Sequence, residues 1–102
     1  MQVKRVDLSL SEEALQDIEA IAAWYESQSA WQAAKDVLEK IMDAIQALAM
    51  YPEAGPIGTS GSRERVISSV PYRVVYVFDA TLAHVTVYAV VHTRRQWPPD
   101  LE

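Results

Sequence analysis

The chain has 102 residues, 50% hydrophobic and 23% charged, which is the composition of one globular domain and unlike that of a disordered protein. It has no cysteine, which excludes disulfides and thiolate metal sites, and no apolar run approaches the roughly 20 residues that a membrane-spanning helix needs. The formal net charge of −5 argues against strong direct binding of nucleic acid, which depends on neutralising phosphates.

The first half of the chain predicts one strand followed by two helices. Residues 2–8 alternate in polarity, as expected of a short edge strand. Ser11 precedes two glutamates, a pattern typical of a helix N-cap, and apolar residues spaced three or four apart predict a helix over about residues 12–27. A second apolar stripe predicts a helix over about residues 30–50. Because only a polar turn separates the helices, we expect an antiparallel hairpin.

The second half of the chain predicts a sheet. After a loop rich in glycine and proline, residues 65–70, 72–78 and 83–92 have the period of strands, and their short connections favour an antiparallel meander. The predicted fold class is α+β, a helical hairpin packed on one face of a mainly antiparallel four-stranded sheet in the order β-α-α-β-β-β. We expect a single domain over residues 1–102, with a short C-terminal tail over about 95–102.

Two strands carry the side chains that could perform chemistry. Strict alternation places Arg73 and His92 together on the face of the sheet opposite the helices. Such a pair could bind a phosphate, with arginine as the anion clamp and histidine as acid or base, and Arg63 and Arg65 could extend the site. In the alternative interpretation, Arg73 pairs with Asp79 or Glu64, His92 caps the strand, and Arg63 and Arg65 form a solvated edge that pairs with Glu64. A one-residue bulge would overturn this assignment of faces.

Other catalytic and binding motifs are absent from the sequence. Its glycines match no nucleotide-binding fingerprint, no nucleophile elbow occurs, and two histidines eight residues apart without a carboxylate cluster make a poor metal site. We therefore expect no metal and no cofactor. Trp24, Tyr25 and Trp31 lie around the turn between the helices, where they could pack the helices together or contact a partner.

Four segments in the correct order resemble the RelE/ParE family of bacterial toxins, and together they cover nearly the whole chain. The family patterns are an opening helix A-x-x-D-L-x-x-I, a helix exit I-x-x-L-x-x-x-P-x-x-G, strands R-x-x-x-x-x-x-Y-R-I-x-Y and an ending V-x-H-x-R-R. The matching segments here are residues 15–21, 45–55, 65–76 and 91–95. The resemblance implies the β-α-α-β-β-β fold and a toxin of a type II toxin–antitoxin system, neutralised by a cognate antitoxin in a hetero-oligomer.

The ParE-like, plasmid-stabilisation branch of the family is the more similar one. No lysine follows Lys40, and Thr93 stands where some ribonuclease relatives carry a tyrosine. The resemblance then implies a protein inhibitor of DNA gyrase rather than an enzyme, acting in the bacterial cytoplasm. One alternative is a RelE-like, ribosome-dependent mRNA endonuclease in which Arg73, His92 and Arg65 would act. The other is a non-toxic relative that only binds an antitoxin.

Under the ParE-like interpretation, Arg94, Arg95 and Trp97 are predicted to contact the target, because arginine and tryptophan dominate interface hot spots. In the alternative, Trp97 packs on the core. The cognate antitoxin is expected to be ParD-like, with a flexible segment that folds on the toxin surface. Its predicted contacts are the three aromatic residues of the helical hairpin: Trp24, Tyr25 and Trp31.

Overall fold

The computed structural model describes residues 5–58 and 61–95, and its six elements follow one another in the predicted order. The elements are β1 Asp7–Leu10, α1 Glu12–Ser27, α2 Trp31–Ala47, β2 Arg63–Val66, β3 Tyr72–Asp79 and β4 His84–His92. The strands form one sheet in the order β1-β4-β3-β2, so β1 and β2 are its edge strands. Strand β3 is antiparallel to both of its neighbours, whereas β1 pairs with β4 in parallel. The predicted α+β fold is confirmed, and its sheet is mixed.

The ends of three elements differ from the prediction for local reasons. Residues 2–4 of the strand predicted over residues 2–8 lie outside the described part of the chain, and strand β1 begins only at Asp7, because the Val6 N–H donates to the carbonyl of Ala49 instead of joining the sheet. The helix α2 ends at Ala47, and the next three N–H groups bond three residues back in a tighter turn. The strand β2 stops at Val66, because the chain turns at Ser69, which has a φ of 73°.

The helices cover one face of the sheet, and the main core lies between the two layers. Ser11 caps α1 as predicted, since its hydroxyl accepts the Ala14 N–H at 3.1 Å. Burying each large aliphatic side chain of this core contributes about 1.5–3 kcal/mol to stability. The core side chains that are fully buried are Ile41, Ile45, Leu48, Val74, Tyr76, Val85 and Val87.

A β-bulge in β4 exchanges the faces of its last residues. Val75 pairs with Ala89, but Tyr76 pairs with Val87, so Tyr88 has no partner in β3. Before the bulge, Val87 faces the helices; after it, Val90 does, while Ala89, Val91 and Val75 form a separate cluster on the other face.

The prediction that Arg73 and His92 share the open face is therefore wrong. His92 pairs with Tyr72, whose side chain belongs to the core beneath the helices. Arg73 pairs with Val91, which lies on the opposite face. The physical reason is the extra residue at Tyr88, because one inserted residue reverses every later side chain in a strand.

Contacts from the start of α1 satisfy the backbone groups that the bulge frees. The Val90 N–H donates to Oδ2 of Asp17 at 3.0 Å, and the Ser11 hydroxyl donates to the carbonyl of Tyr88 at 3.1 Å. The Ser11 N–H also donates to the carbonyl of Val87 at 2.9 Å. Buried backbone polar groups need such partners, so α1 and the bulge stabilise each other.

Candidate functional site at the C-terminal turn

Immediately after β4, the chain folds back against the start of β3. The Thr93 N–H donates to the carbonyl of Pro71, and the Arg95 N–H donates to the carbonyl of His92, both at 2.9 Å. We call residues 92–95 the C-terminal turn. It brings the sequence-predicted residues Arg94 and Arg95 beside Arg73 and His92.

Arg73 contacts protein groups through all three nitrogens of its guanidinium. Its Nη1 donates to the carbonyl of Thr93 at 3.1 Å, and its Nη2 donates to the carbonyl of Arg95 at 2.5 Å. Its buried Nε makes no aligned hydrogen bond but lies 2.8 Å from Oε1 of Glu64, so that contact is a charge pairing. The planar fork of a guanidinium suits this set of partners. Of the two predicted acidic partners, Glu64 is the one observed, while Asp79 accepts the N–H of Leu82 instead.

His92 caps the end of β4. Its Nδ1 accepts the Arg94 N–H at 3.1 Å, so in the neutral ring the proton resides on Nε2. The imidazole also packs edge-on against Tyr72, with ring centroids 5.6 Å apart and an interplanar angle of 76°. One ring nitrogen is therefore used for backbone structure, as the strand-capping interpretation requires.

A cleft of about 410 Å³ opens between α1 and the ends of β3 and β4. Burial of the Tyr72 hydroxyl, reinforced by its hydrogen bond with Tyr25, raises the pKa of Tyr72 to about 12. Tyr72 therefore stays a neutral hydrogen-bonding group at physiological pH. The polar and aromatic side chains that line this cleft are Asp17, Trp24, Tyr25, Tyr72, His92 and Arg95.

The residues proposed for RNA cleavage do not converge. Arg65 pairs with Val74 and lines a different cleft, of about 470 Å³, beside Tyr51 and Glu53 at the end of α2. Arg73 lies on the opposite face of the sheet from His92, and its guanidinium is occupied. General acid–base catalysis requires its groups within hydrogen-bonding reach of one substrate, and these three side chains do not share a cleft.

Arg94 and Arg95 are exposed, and neither forms an ion pair with any residue in the described part of the chain. Trp97 and the rest of the predicted tail beyond Arg95 lie outside the described residues. The C-terminal turn therefore presents two guanidinium groups to solvent. Their chemistry suits a carboxylate or phosphate on a partner.

The three aromatic residues of the hairpin have different surroundings. Trp24 is 58% exposed and packs edge-on against Tyr25, with ring centroids 5.0 Å apart, and both line the cleft beside α1. Tyr25 also packs against the core. Trp31 is 63% exposed at the start of α2 and does not line that cleft. Trp24 and Trp31 are thus available to a partner, while Tyr25 is partly committed to the core.

Sequence reasoning missed two residues of this region. Asp17 supports the bulge, and Tyr72 lies at the base of the cleft. The signal for Asp17 was an acid on the buried stripe of α1, one turn from both Ala14 and Ile21. Tyr72 stood out only as part of the family motif and of the helix-facing side of its strand, because its place in the cleft depends on contacts between distant elements.

Residues 5–58 and 61–95 contain no group of three or more histidine, cysteine, aspartate or glutamate side chains that could hold a metal ion. Within the same ranges, no helix has both the length and the apolar character needed to cross a membrane.

The sequence of this chain is similar to known toxin sequences. The profile of the ParE toxin of the type II toxin–antitoxin system parDE matches residues 8–97. The candidate toxin Y4kP of Sinorhizobium fredii is 33% identical over 102 residues, which cover 99% of this chain and 100% of that protein.

Two solved toxin–antitoxin structures share the fold. The chromosomal ParDE system from P. aeruginosa has a TM-score of 0.76 and 15% identity, over 87% of this chain and 97% of that one. The RelBE2 complex from Mycobacterium tuberculosis has a TM-score of 0.63 and 14% identity, over 89% and 94% of the two chains.

Proposed function

This chain belongs to the ParE toxin family of type II toxin–antitoxin systems, and we propose that it inhibits DNA gyrase in the bacterial cytoplasm until a ParD-like antitoxin neutralises it. As a member of this family, the chain is a toxin of the RelE/ParE superfamily, and DNA gyrase is the target that we propose for it.

The contacts of Arg73 are the observation that favours binding over catalysis. All three nitrogens of its guanidinium already contact Glu64 or the carbonyls of Thr93 and Arg95, so binding a substrate phosphate would compete with these contacts. His92 lies on the other face of the sheet, and its Nδ1 is occupied. Arg73 and His92 therefore contact the backbone of the C-terminal turn, and these contacts support a toxin that binds a protein target.

The target contact is assigned to Arg94 and Arg95, together with Trp97 of the tail. Both arginines are exposed and free of ion pairs with described residues, so binding would not first require breaking an internal contact. Arginine and tryptophan are enriched among residues whose loss most weakens an interface.

The antitoxin contact is assigned to the helical hairpin and the cleft beside α1. Trp24, Tyr25 and Trp31 provide its aromatic surface. The helix α1 carries acidic side chains and no basic ones, so a complementary antitoxin segment combines apolar anchors with basic residues. Its acidic residues are Glu12, Glu13, Asp17, Glu19 and Glu26.

The central test measures gyrase supercoiling and ribosome-dependent mRNA cleavage with one preparation of purified toxin. We expect inhibition of supercoiling with accumulation of cleaved DNA, and intact mRNA. The double variant Arg94→Ala/Arg95→Ala should inhibit gyrase at least about tenfold less strongly, since two charged contacts are lost.

A matched control removes two positive charges elsewhere. Lys35 and Lys40 are exposed on α2, away from the C-terminal turn. The double variant Lys35→Ala/Lys40→Ala should inhibit gyrase as the parent chain does. Equal losses in the two double variants would point to a general charge effect and would remove Arg94 and Arg95 from the target contact.

The second candidate function is the RelE-like mRNA endonuclease, and the cleft favours it, because His92, Tyr72 and Arg95 line one concave surface. In that case mRNA is cut, gyrase is unaffected, and His92→Ala abolishes cutting. A chain that produces neither effect and permits normal growth when expressed alone would be the non-toxic antitoxin-binding relative.

A further inference from the structure

The backbone of the C-terminal turn is held from two sides by two side chains that lie on opposite faces of the sheet. From one face, Arg73 donates to the carbonyls of Thr93 and Arg95. From the other, Nδ1 of His92 accepts the N–H of Arg94. The bulge at Tyr88 makes this possible, because without it both side chains would project from the same face.

The remaining N–H groups of the turn are also satisfied. Thr93 donates to Pro71 and Arg95 donates to His92, so every backbone N–H from residue 93 to residue 95 has an acceptor. The backbone is therefore constrained, while the side chains of Arg94 and Arg95 remain exposed. Ordering a segment before it binds removes an entropic cost from association.

We infer that Arg73 and His92 are positioning residues, which hold the C-terminal turn in the conformation that presents Arg94 and Arg95 to the target. This inference rests on the proposed function for the identity of the target, but the holding of the turn can be measured without gyrase. Arg73 and His92 thus have a structural role, whereas in a nuclease the same two side chains would be the catalytic pair.

Histidine variants separate positioning from acid–base chemistry. Asparagine at position 92 keeps an acceptor, because an Asn side chain commonly accepts the N–H two residues on, and it cannot transfer protons as imidazole does. His92→Ala should weaken gyrase inhibition about tenfold, whereas His92→Asn should stay within about threefold of the parent chain.

A matched histidine control lies at the other end of β4. His84 contacts the Ser9 hydroxyl at 2.8 Å through Nε2 and is far along the strand from the turn. His84→Ala should leave gyrase inhibition unchanged. If His92→Asn and His92→Ala both abolish activity, imidazole chemistry is required and the positioning role of His92 is overturned.

Arginine variants test the other side of the turn. Arg73→Lys keeps the charge, but a single ammonium cannot reproduce the fork that joins Glu64 and two carbonyls. Arg63 is the matched control, because its Nη1 also binds a carbonyl, that of Gly55 at 2.8 Å, and its Nη2 lies 3.6 Å from Glu53. Arg73→Lys should weaken gyrase inhibition about tenfold, while Arg63→Lys should leave it unchanged.

Amide hydrogen exchange at Arg94 and Arg95 tests the inference independently of gyrase. We expect faster exchange at Arg94 in His92→Ala but not in His92→Asn, and faster exchange at Arg95 in Arg73→Lys. Unchanged exchange in His92→Ala and Arg73→Lys would overturn the inference, even if gyrase is inhibited. If the parent chain fails to inhibit gyrase while exchange responds as expected, the proposed target is wrong and the holding of the turn stands.

Discussion

Tyr76 and Gly55 join the loop before β2 to the centre of the sheet. The hydroxyl of Tyr76, a fully buried residue, accepts the Gly55 N–H at 2.9 Å. A Cβ atom at Gly55 would lie 2.7 Å from the carbonyl oxygen of Glu64, closer than packing allows. The glycine of the P-x-x-G motif is therefore explained by close approach of two backbones. This contact also positions β2, which carries Glu64 to its ion pair with Arg73.

The raised pKa of Tyr72 predicts a specific loss of stability at alkaline pH. Below about pH 10 the tyrosine is protonated in both the folded and the unfolded chain, so its contribution does not change. Between pH 10 and about 12 the unfolded chain loses this proton first, so the free energy of unfolding falls as the pH rises.

Denaturant titrations at about pH 8 and about pH 11 measure this effect, which is a linkage effect between proton binding and folding. The loss of stability between the two pH values should be smaller in Tyr72→Phe than in the parent chain. Tyr51, which is 65% exposed, provides the control, and Tyr51→Phe should retain the full loss. An identical pH dependence in parent chain and Tyr72→Phe would contradict the assignment.

Among the elements, the pairing of α1 with the bulge of β4 has the largest consequence for the site. Ser11 and Asp17 bond three backbone groups of β4, at residues 87, 88 and 90. The bulge in turn directs His92 towards the helices and leaves Arg73 on the opposite face. The positions of Arg73 and His92 thus depend on a contact with the first helix, far away in sequence.

Removing the Asp17 carboxylate should destabilise the protein. Asp17→Ala leaves the Val90 N–H without its acceptor, which costs about 1–3 kcal/mol for a buried donor. Glu19→Ala removes an exposed carboxylate from the same helix and should cost less than about 0.5 kcal/mol. Urea denaturation of the two variants checks this difference, and equal stabilities would argue against a structural role for Asp17.

Across the molecule, the acidic helix α1 and the exposed arginines of the C-terminal turn belong to different elements and adjoin at the cleft. The acids of α1 and the exposed Trp24 and Trp31 lie on the helical layer, whereas Arg94 and Arg95 follow the end of β4. Under the proposed function, one region binds the antitoxin and the other contacts the target. An antitoxin that reaches into the cleft, which both Trp24 and Arg95 line, would meet both regions.

Antitoxin affinity tests this division of the surface. Trp24→Ala should weaken binding of the cognate antitoxin about tenfold or more, because exposed tryptophans at interfaces are frequent hot spots. Leu82, which is 71% exposed in the β3–β4 connection, is the apolar control, and Leu82→Ala should bind normally. Calorimetric titration measures both. Unimpaired binding by Trp24→Ala would place the antitoxin on another surface.

The order of the elements, the extent of α1 and the family can be recognised from the amino-acid sequence. Hydrophobic period, the Ser11 cap and ordered motifs are local properties, so they can be recognised without knowing which residues meet. The matches of Tyr72-Arg73 and His92 to the family motifs were also visible, but their roles were not.

Where those side chains lie and what they contact depends instead on the three-dimensional packing of the chain. A bulge adds no distinctive residue to the sequence, and the one at Tyr88 depends on hydrogen bonds from Ser11 and Asp17. It moves His92 to the helix face and leaves Arg73 to bind Glu64 and the C-terminal turn. Alternation along a strand predicts which face a side chain occupies only while the strand pairing is regular. Here the pairing register of β4 depends on contacts with residues that are distant in the sequence.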